Sequence, residues 1–149
     1  MKIDDAIQSK FQSSGQRAMV NVRYTSNFFA ATQNQFMSKY GLSMPQYNIL
    51  RILRGAKKSI SVNSVKDRMV EKSPNTTRLM DKLFDKGLIE RERCTDDRRI
   101  VFVQISKQGL DLLSEIDLAF SSHESNMMPT TLTDAEADML SDLLDKLRG

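Results

Sequence analysis

The sequence predicts a mostly α-helical chain with one small β-hairpin. Apolar residues recur at helical spacing along most of the 149 residues, and Ser or Thr residues that can cap helices precede several of these stretches. Only residues 88–105 change to an alternating, β-branched pattern around a polar loop. The length favours one domain with a sizeable core.

The first element is predicted to be one long helix from Ser14 to Lys39. The first forty residues contain no proline, and Val22, Phe29 and Phe36 recur every seven residues along one face. Gly41 is expected to end the helix, because glycine readily adopts the left-handed backbone conformation found after helices.

A second helix is predicted to begin after Ser43. Ser43 can cap it, Pro45 lies in its first turn, and Gln46 is placed to complete a capping box. Gly55 is expected to end this helix near Arg54. Its apolar face comprises Ile49, Leu50 and Leu53.

Two shorter helices are predicted in the middle of the chain. Residues 59–61 form a short extended piece, and Ser61 can cap the third helix. In the fourth helix, Ser73 is predicted to be the N-cap, Pro74 the first helical residue and Gly87 the C-cap.

The rest of the chain is predicted to form a hairpin followed by two helices. Residues 88–93 and 100–105 form the two strands of the hairpin. One helix begins near Ser106, and the other begins with a capping box formed by Thr133 and Glu136. Residues 121–131, which include Pro129, are predicted to connect them as a loop.

This order of elements is that of a winged helix-turn-helix flanked by long helices. In such a fold the second helix of the motif enters the major groove of DNA. Asn75 can pair with adenine, Arg78 with guanine, and Thr77 with bases or a thymine methyl. An ordinary capped helix with a solvated face would have a similar sequence. The candidate recognition-helix residues are Ser73, Asn75, Thr76, Thr77, Arg78 and Lys82.

The loop of the hairpin contains Asp97, Arg98 and Arg99, and these are the candidate wing residues. A narrow minor groove attracts arginine, and Asp97 is spaced to hold Arg99 extended. A local ion pair on a solvated hairpin is the alternative interpretation.

Positive charge is concentrated in the middle of the chain. Residues 51–110 contain fifteen Lys or Arg and eight Asp or Glu, a net charge of +7, whereas the whole chain has +3. By itself this distribution fits a polyanion-binding module and a mixed-charge surface equally well. Together with the motifs above, it favours the polyanion-binding module. The candidate phosphate contacts are Arg54, Lys57, Lys58 and Lys107.

Four stretches match a known family in order and spacing. They are Thr77-Arg78-Leu79-Met80-Asp81-Lys82-Leu83, Lys86-Gly87-Leu88-Ile89-Glu90-Arg91, Asp97-Arg98-Arg99 and Ile105-Ser106-Lys107-Gln108-Gly109. Through them, residues 42–113 resemble the MarR family of transcriptional regulators. The resemblance implies three regions in one compact chain that forms an intertwined dimer. They are an N-terminal dimerisation helix region (1–41), a winged helix-turn-helix DNA-binding domain (42–106) and C-terminal dimerisation helices (107–149).

The resemblance also implies roles for two sets of apolar residues, although both sets are equally what an intramolecular core needs. A two-fold interface would use Val22, Phe29 and Phe36 of the first long helix together with Leu140, Leu143, Leu144 and Leu147 of the last helix. A small aromatic or amphipathic effector would bind in a cleft, for which the candidate wall residues are Phe28, Phe29, Phe36 and Tyr47.

Composition argues against an enzyme and against a metal or cofactor site. Cys94 is the single cysteine and His123 the single histidine, so neither a thiolate cage nor a multi-histidine site can form within one chain. We expect Cys94 to be a small structural or exposed residue and His123 to face solvent. The N-terminus lacks the apolar core of a signal peptide, and no stretch is long and apolar enough to span a membrane. We therefore expect a soluble, cytoplasmic protein.

The combined expectation is a regulator of transcription that binds specific double-stranded DNA. The resemblance implies a repressor that binds a pseudo-palindromic operator as a homodimer and is released by a small-molecule effector. Two alternatives remain at this stage. One is a winged-helix module that docks an acidic protein, and the other is an enzyme that uses Cys94 or His123, for which no partner residue is identifiable.

Overall fold

The computed structural model describes residues 1–122 and 131–149, and within them the chain forms seven helices and three strands. The helices are α1 (Ile3–Ile7), α2 (Ser14–Ser38), α3 (Met44–Ala56), α4 (Val62–Arg68), α5 (Thr76–Asp85), α6 (Lys107–Ser121) and α7 (Asp134–Arg148). The strands are β1 (Ile60–Ser61), β2 (Ile89–Arg93) and β3 (Val101–Ile105). The mostly α-helical fold with a small β element, predicted from the sequence, is confirmed.

The three strands form one antiparallel sheet in the order β1-β3-β2. β2 and β3 are the predicted hairpin, and Arg91 lies opposite Val103 in its register. Ile60 of β1 also pairs with Val103, on the other edge of β3. The short extended piece before α4 is therefore an edge strand, and it attaches the helix-turn-helix to the wing.

The hydrophobic core lies inside the winged helix-turn-helix body, between α3, α4, α5, α6 and the sheet. Its fully enclosed members include Ile49, Leu50, Leu53, Val65, Leu83, Val103, Leu113 and Ile116. The terminal helices contribute little to this core. In α2 only Phe36 and Met37 are buried, and in α7 no residue is buried. Much of the apolar surface of both helices is thus exposed in a single chain.

The predicted caps explain where most helices begin. Ser43 and Thr133 each form the capping box expected from the sequence, with Gln46 and Glu136 as the third residues of the helices. The backbone N–H and the hydroxyl of Thr133 donate to the Glu136 carboxylate, and this lowers the pKa of Glu136 below its ordinary value. Ser61 and Ser106 cap α4 and α6 in the predicted positions.

Two predicted helix boundaries, the end of α3 and the start of α5, are wrong by one or two residues. Helix α3 continues through Gly55 to Ala56 and ends at Lys57, which adopts a left-handed conformation with φ of 56°. Helix α5 begins at Thr76 rather than at Pro74, because residues before Asn75 form a turn closed by side-chain hydrogen bonds.

The short helix α1 was not predicted. It lies against the beginning of α2 through Asp4, whose carboxylate accepts from the Arg17 guanidinium at 2.6 Å, and through Ile3, which is buried. The hydrogen bond from Arg17 lowers the pKa of Asp4 below its ordinary value. The predicted helix over Ser14–Lys39 is confirmed, with its last residue at Ser38.

Some predictions lie outside the described residues. His123 and Pro129 belong to residues 123–130, as does most of the loop predicted over 121–131. Among the helices that the structure describes, none is long and apolar enough to cross a membrane. The division into regions 1–41, 42–106 and 107–149 stays a prediction.

Candidate nucleic-acid interface

The turn between α4 and α5 is fixed by side chains that bond to its backbone. Asn48 of α3 accepts from the Val70 N–H at 3.0 Å. The ammonium of Lys72 donates to the carbonyls of Lys66 and Asp67, at 3.2 and 2.5 Å, at the end of α4. The Lys66 carbonyl also accepts from the Met69 N–H, so these bonds together hold the turn and with it the start of α5.

The first residues of α5 divide into a buried and an exposed set. The Ser73 hydroxyl accepts from the Asn75 N–H at 3.1 Å, and the Thr76 hydroxyl donates to the Ser73 carbonyl at 3.1 Å. Thr76 is only 1% exposed. This corrects the expectation that Thr76 contacts DNA, because its hydroxyl is used inside the turn and its side chain faces the core.

The exposed face of α5 presents the polar side chains predicted for it. Asn75, Thr77, Arg78 and Lys82 are exposed, whereas Met80 and Leu83 are buried against the core. Asn and Arg side chains carry the donors and acceptors that pair with the edges of adenine and guanine. Helix α5 therefore presents polar hydrogen-bonding groups along its free side and is fixed by packing on the other.

Helix α5 ends in a joint that it shares with the wing and with α6. Gly87 has φ of 72°, its N–H donates to the Phe84 carbonyl, and the Leu88 N–H donates to the Leu83 carbonyl. This is the Schellman arrangement, which needs glycine at the left-handed position. The Ser106 hydroxyl and N–H then donate to the carbonyls of Gly87 and Leu88 at 2.6 and 3.0 Å.

The wing ends in a turn that presents Arg99. The Asp97 carboxylate accepts from the backbone N–H of Arg99 at 3.0 Å and from its Nε at 3.2 Å. The Arg99 side chain is nevertheless 93% exposed, so its terminal nitrogens point away from the turn into solvent. Arg98 is exposed beside it. Asp97 therefore orders Arg99 while leaving its outer edge free for a ligand.

A groove of about 290 Å³ lies between α5 and the wing. Thr77 and Asp81 line it from α5, Arg91 from β2 and Arg99 from the wing. Arg91 Nη1 lies 2.5 Å from Asp81 Oδ1, and its guanidinium lies 4.0 Å from the centre of the Phe84 ring. This contact joins α5 directly to the wing.

The pairing of Asp81 with Arg91 was not predicted from the sequence. The two residues lie ten positions apart on different elements, so no helical or strand period relates them. The tight turn at Gly87 returns the chain beside α5 and brings them together. The sequence indicated their importance only through the stretches that resemble the MarR family, to which both residues belong.

The candidate phosphate contacts differ in their surroundings. Arg54 donates to the Asp117 carboxylate at 2.6 Å and links α3 to α6, so a phosphate would have to replace Asp117 there. Lys107 pairs with Asp111 at 3.2 Å but remains 90% exposed. Lys57 and Lys58 are both exposed.

The aromatic residues expected to line an effector cleft are arranged differently. The rings of Phe36 and Phe120 stack with centroids 5.3 Å apart, and Tyr47 meets Phe120 edge-on at 6.0 Å. Phe36 and Tyr47 are buried. Phe28 is 63% exposed on α2. The structure therefore corrects the expected cleft wall, because Phe36 and Tyr47 are core residues and Phe28 lies on an open surface.

Comparison with known proteins identifies the fold and the family. A sequence model described as "MarR family" matches residues 42–101. The crystal structure of a MarR transcription factor from Planctomyces limnophilus is 31% identical, covers 93% of this chain and 98% of that one, and superposes with a TM-score of 0.67. The chain belongs to the MarR family.

Two further proteins are similar to this chain. The HTH-type transcriptional regulator MhqR of Bacillus subtilis (strain 168) is 29% identical over 116 residues, which are 76% of this chain and 77% of that one. A mutant MarR from E. coli, whose crystal structure is complexed with operator DNA, has a TM-score of 0.77 at 21% identity and covers 93% of this chain and 99% of that one.

As a MarR-family member the protein is a DNA-binding transcriptional regulator and not an enzyme. The winged helix-turn-helix predicted from the sequence is confirmed. Within residues 1–122 and 131–149, no group of three or more His, Cys, Asp or Glu is placed to hold a metal ion. Cys94 is half-buried at the end of β2, and its N–H donates to the Ile100 carbonyl.

Proposed function

We propose that this MarR-family regulator binds a pseudo-palindromic duplex site as a homodimer and represses the genes beside it. One observation carries the proposal. Thr77 of the exposed polar face of α5 and Arg99, which Asp97 holds, line the same groove in a single chain. A recognition helix and a wing arranged in this way suit a major groove and the adjacent minor groove.

In the proposed complex α5 enters the major groove with its first turn foremost. Asn75, Thr77 and Arg78 would contact base edges, and Lys82 would approach the backbone. Arg98 and Arg99 would lie along the minor groove, where a narrow A·T-rich segment concentrates negative potential. Lys57, Lys58 and Lys107, all exposed, would add salt-dependent affinity through phosphates.

The terminal helices support the homodimer in this proposal. Helix α7 has no buried residue, and four of its apolar side chains are 47–63% exposed: Met139, Leu140, Leu143 and Leu147. On α2, Met19 and Val22 are also exposed. Exposed apolar stripes of this kind mark protein interfaces. Two-fold symmetry would then set the two copies of α5 about one helical turn of DNA apart, roughly 10 base pairs.

Repression and release complete the proposal. A dimer that covers successive major grooves would exclude other proteins from that segment of duplex. A small aromatic or amphipathic effector would release it by favouring a dimer whose two copies of α5 are wrongly spaced. Because Phe36 and Tyr47 pack on Phe120, such a compound would have to displace these rings or use another cleft.

The decisive experiment is selection of bound duplexes from a random DNA library at near-physiological salt without added compounds. We expect an enriched palindrome with half-sites about 10 base pairs apart. Enrichment of a single, asymmetric half-site would contradict the homodimer. Steep salt-dependent binding without any enrichment would contradict sequence specificity.

A second function, docking of an acidic protein partner on the basic face, predicts a different result. The affinity for duplex DNA would then depend only weakly on salt, whereas the regulator should lose affinity steeply as salt rises. The exposed base-reading side chains of α5 favour the regulator, because an acidic protein surface gives no reason for Asn75 and Thr77 in place of Lys.

A further inference from the structure

We infer that Arg91 is a positioning residue, which fixes the angle between α5 and the wing through its ion pair with Asp81. The inference rests on the proposed function, because it assigns a role within the same DNA-binding surface. Arg91 is held on two sides, by the Asp81 carboxylate at 2.5 Å and by the face of the Phe84 ring at 4.0 Å. Both partners belong to α5, whereas Arg91 belongs to β2.

The geometry explains why a further attachment of α5 matters. The joint at Gly87 and the turn before Asn75 hold the two ends of α5, but neither holds the middle of the helix against β2. Asp81 lies six residues before Gly87, about 9 Å along the axis, and Thr77 lies about 15 Å away. Losing the pair would therefore let the middle of α5 shift relative to the wing, and Thr77 lies only about 6 Å further along the axis.

Because the ion pair is exposed to water, its effect on the alignment of α5 with the wing can be separated from its effect on the free energy of unfolding. The Arg91 and Asp81 side chains are 33% and 52% exposed, and ion pairs that are this accessible to water contribute little to the free energy of unfolding. The two charges also neutralise each other, in contrast to the free outer edge of Arg99. Removing the pair should thus leave the fold and most of the attraction to phosphates intact while loosening the alignment.

The test compares Arg91→Met, Asp81→Ala and the double variant. Methionine keeps an extended apolar chain over Phe84, and alanine favours the helix. The readout is the ratio of affinities for the selected duplex and for unrelated duplex, measured by fluorescence anisotropy. We expect each single variant to lower this ratio roughly five- to tenfold, and the double variant to lower it no further, because one contact is lost in all three.

Salt dependence separates a positioning residue from a direct phosphate contact. If Arg91 only positions α5, the slope of log affinity against log salt should equal that of the unmodified protein. If Asp81 instead screens a phosphate-binding Arg91, Asp81→Ala would tighten binding to both duplexes and Arg91→Met would reduce the slope by about one. That result would overturn the inference.

Arg93→Met is the matched control. Arg93 lies two residues further along β2 and is exposed, and among the described residues it forms no ion pair. The substitution removes the same charge from the same strand face. We expect it to leave the affinity ratio unchanged. An equal fall in the ratio for Arg93→Met and Arg91→Met would mean that charge alone is responsible, and the inference would be wrong.

Hydrogen exchange in the free protein tests the inference even if no duplex is selected. Backbone amides in α5 should exchange faster in Arg91→Met and Asp81→Ala than in Arg93→Met, with unchanged unfolding temperatures for all three. Identical exchange in α5 would refute the positioning role. A protein that selects no duplex but shows the expected exchange would refute the proposed function and retain the positioning role.

Discussion

At the wing tip, the hydrogen bonds from Arg99 to Asp97 lead to a prediction for single side chains. Arg99→Ala should lower affinity for the selected duplex by about 1–3 kcal/mol, roughly 5- to 150-fold, because it removes the guanidinium expected in the minor groove. Fluorescence anisotropy with the selected duplex measures the change, and circular dichroism checks that the fold is retained.

Arg98→Ala provides the control for this prediction. Arg98 has the same charge in the same turn, but the Asp97 carboxylate holds Arg99 rather than Arg98. We expect the smaller loss for Arg98→Ala. Equal losses would mean that the wing acts through charge density alone, and an unchanged affinity for Arg99→Ala would remove the wing from the proposed mechanism.

Single residues differ in how far the sequence predicts their surroundings. The contact of Asp97 with Arg99 spans two positions, so local spacing was sufficient to predict it. The burial of Phe36 and Tyr47 depends on Phe120, which is more than seventy positions away and approaches only when α6 packs on α2 and α3. Spacing cannot distinguish such a core aromatic from the wall of a cleft.

For the helices and strands, the joint between β2 and α6 gives the sharpest prediction. A Cβ atom on Gly109 would lie 2.3 Å from the Leu88 carbonyl oxygen and 2.7 Å from Ile105 Cγ1. The first of these is a backbone atom of the joint, so the start of α6 would have to move. Gly109→Ala should lower the free energy of unfolding by about 1–3 kcal/mol, measured by urea denaturation.

Gly55→Ala is the control for the same substitution in a helix. A Cβ atom on Gly55 would have no neighbour within 4 Å, and the residue lies inside α3. Because alanine favours the helical conformation, this variant should be stabilised by up to about 1 kcal/mol. If Gly109→Ala were equally stabilised, the close approach of α6 to the joint would be disproved.

Helix starts were predicted better than helix ends, and the physical reason is local. Capping by Ser43, Ser61, Ser106 and Thr133 uses bonds that span three residues, which a sequence pattern contains. The end of α3 at Lys57, a non-glycine residue in the left-handed conformation, carries no such local signal, and neither does the short helix α1. Ile3 and Asp4 give no helical period over five residues, so nothing in that stretch indicated a helix.

For the whole molecule, the prediction concerns the exposed apolar face of α7. Leu143 is 57% exposed in the single chain, and in the proposed homodimer it would be buried. Leu143→Asp should weaken association by about 2 kcal/mol or more, roughly a 30-fold rise in the dimer dissociation constant. Sedimentation equilibrium over a range of protein concentrations measures this constant, and binding to the selected palindrome should weaken in parallel.

Ser141→Asp supplies the comparison for the dimer. It adds the same charge to α7 two positions away, about 160° around the helix axis from Leu143. We expect its dimer dissociation constant to stay close to that of the unmodified protein. Equal weakening in both variants would indicate a general charge effect, and no weakening in either would exclude α7 from the interface.

The joint at Gly87 and Leu88 allows the residues on the exposed face of α5 to change without loss of the fold. The carbonyls of these residues accept from the hydroxyl and N–H of Ser106, so the joint holds α6 through backbone oxygens of the two residues that follow the C-cap of α5. Every residue type offers such oxygens. Substitutions at Asn75, Thr77 and Arg78 therefore leave the attachment of α5 unaltered. Descendants of this chain, natural or designed, can acquire a new recognition sequence through a few surface changes while keeping one inherited framework.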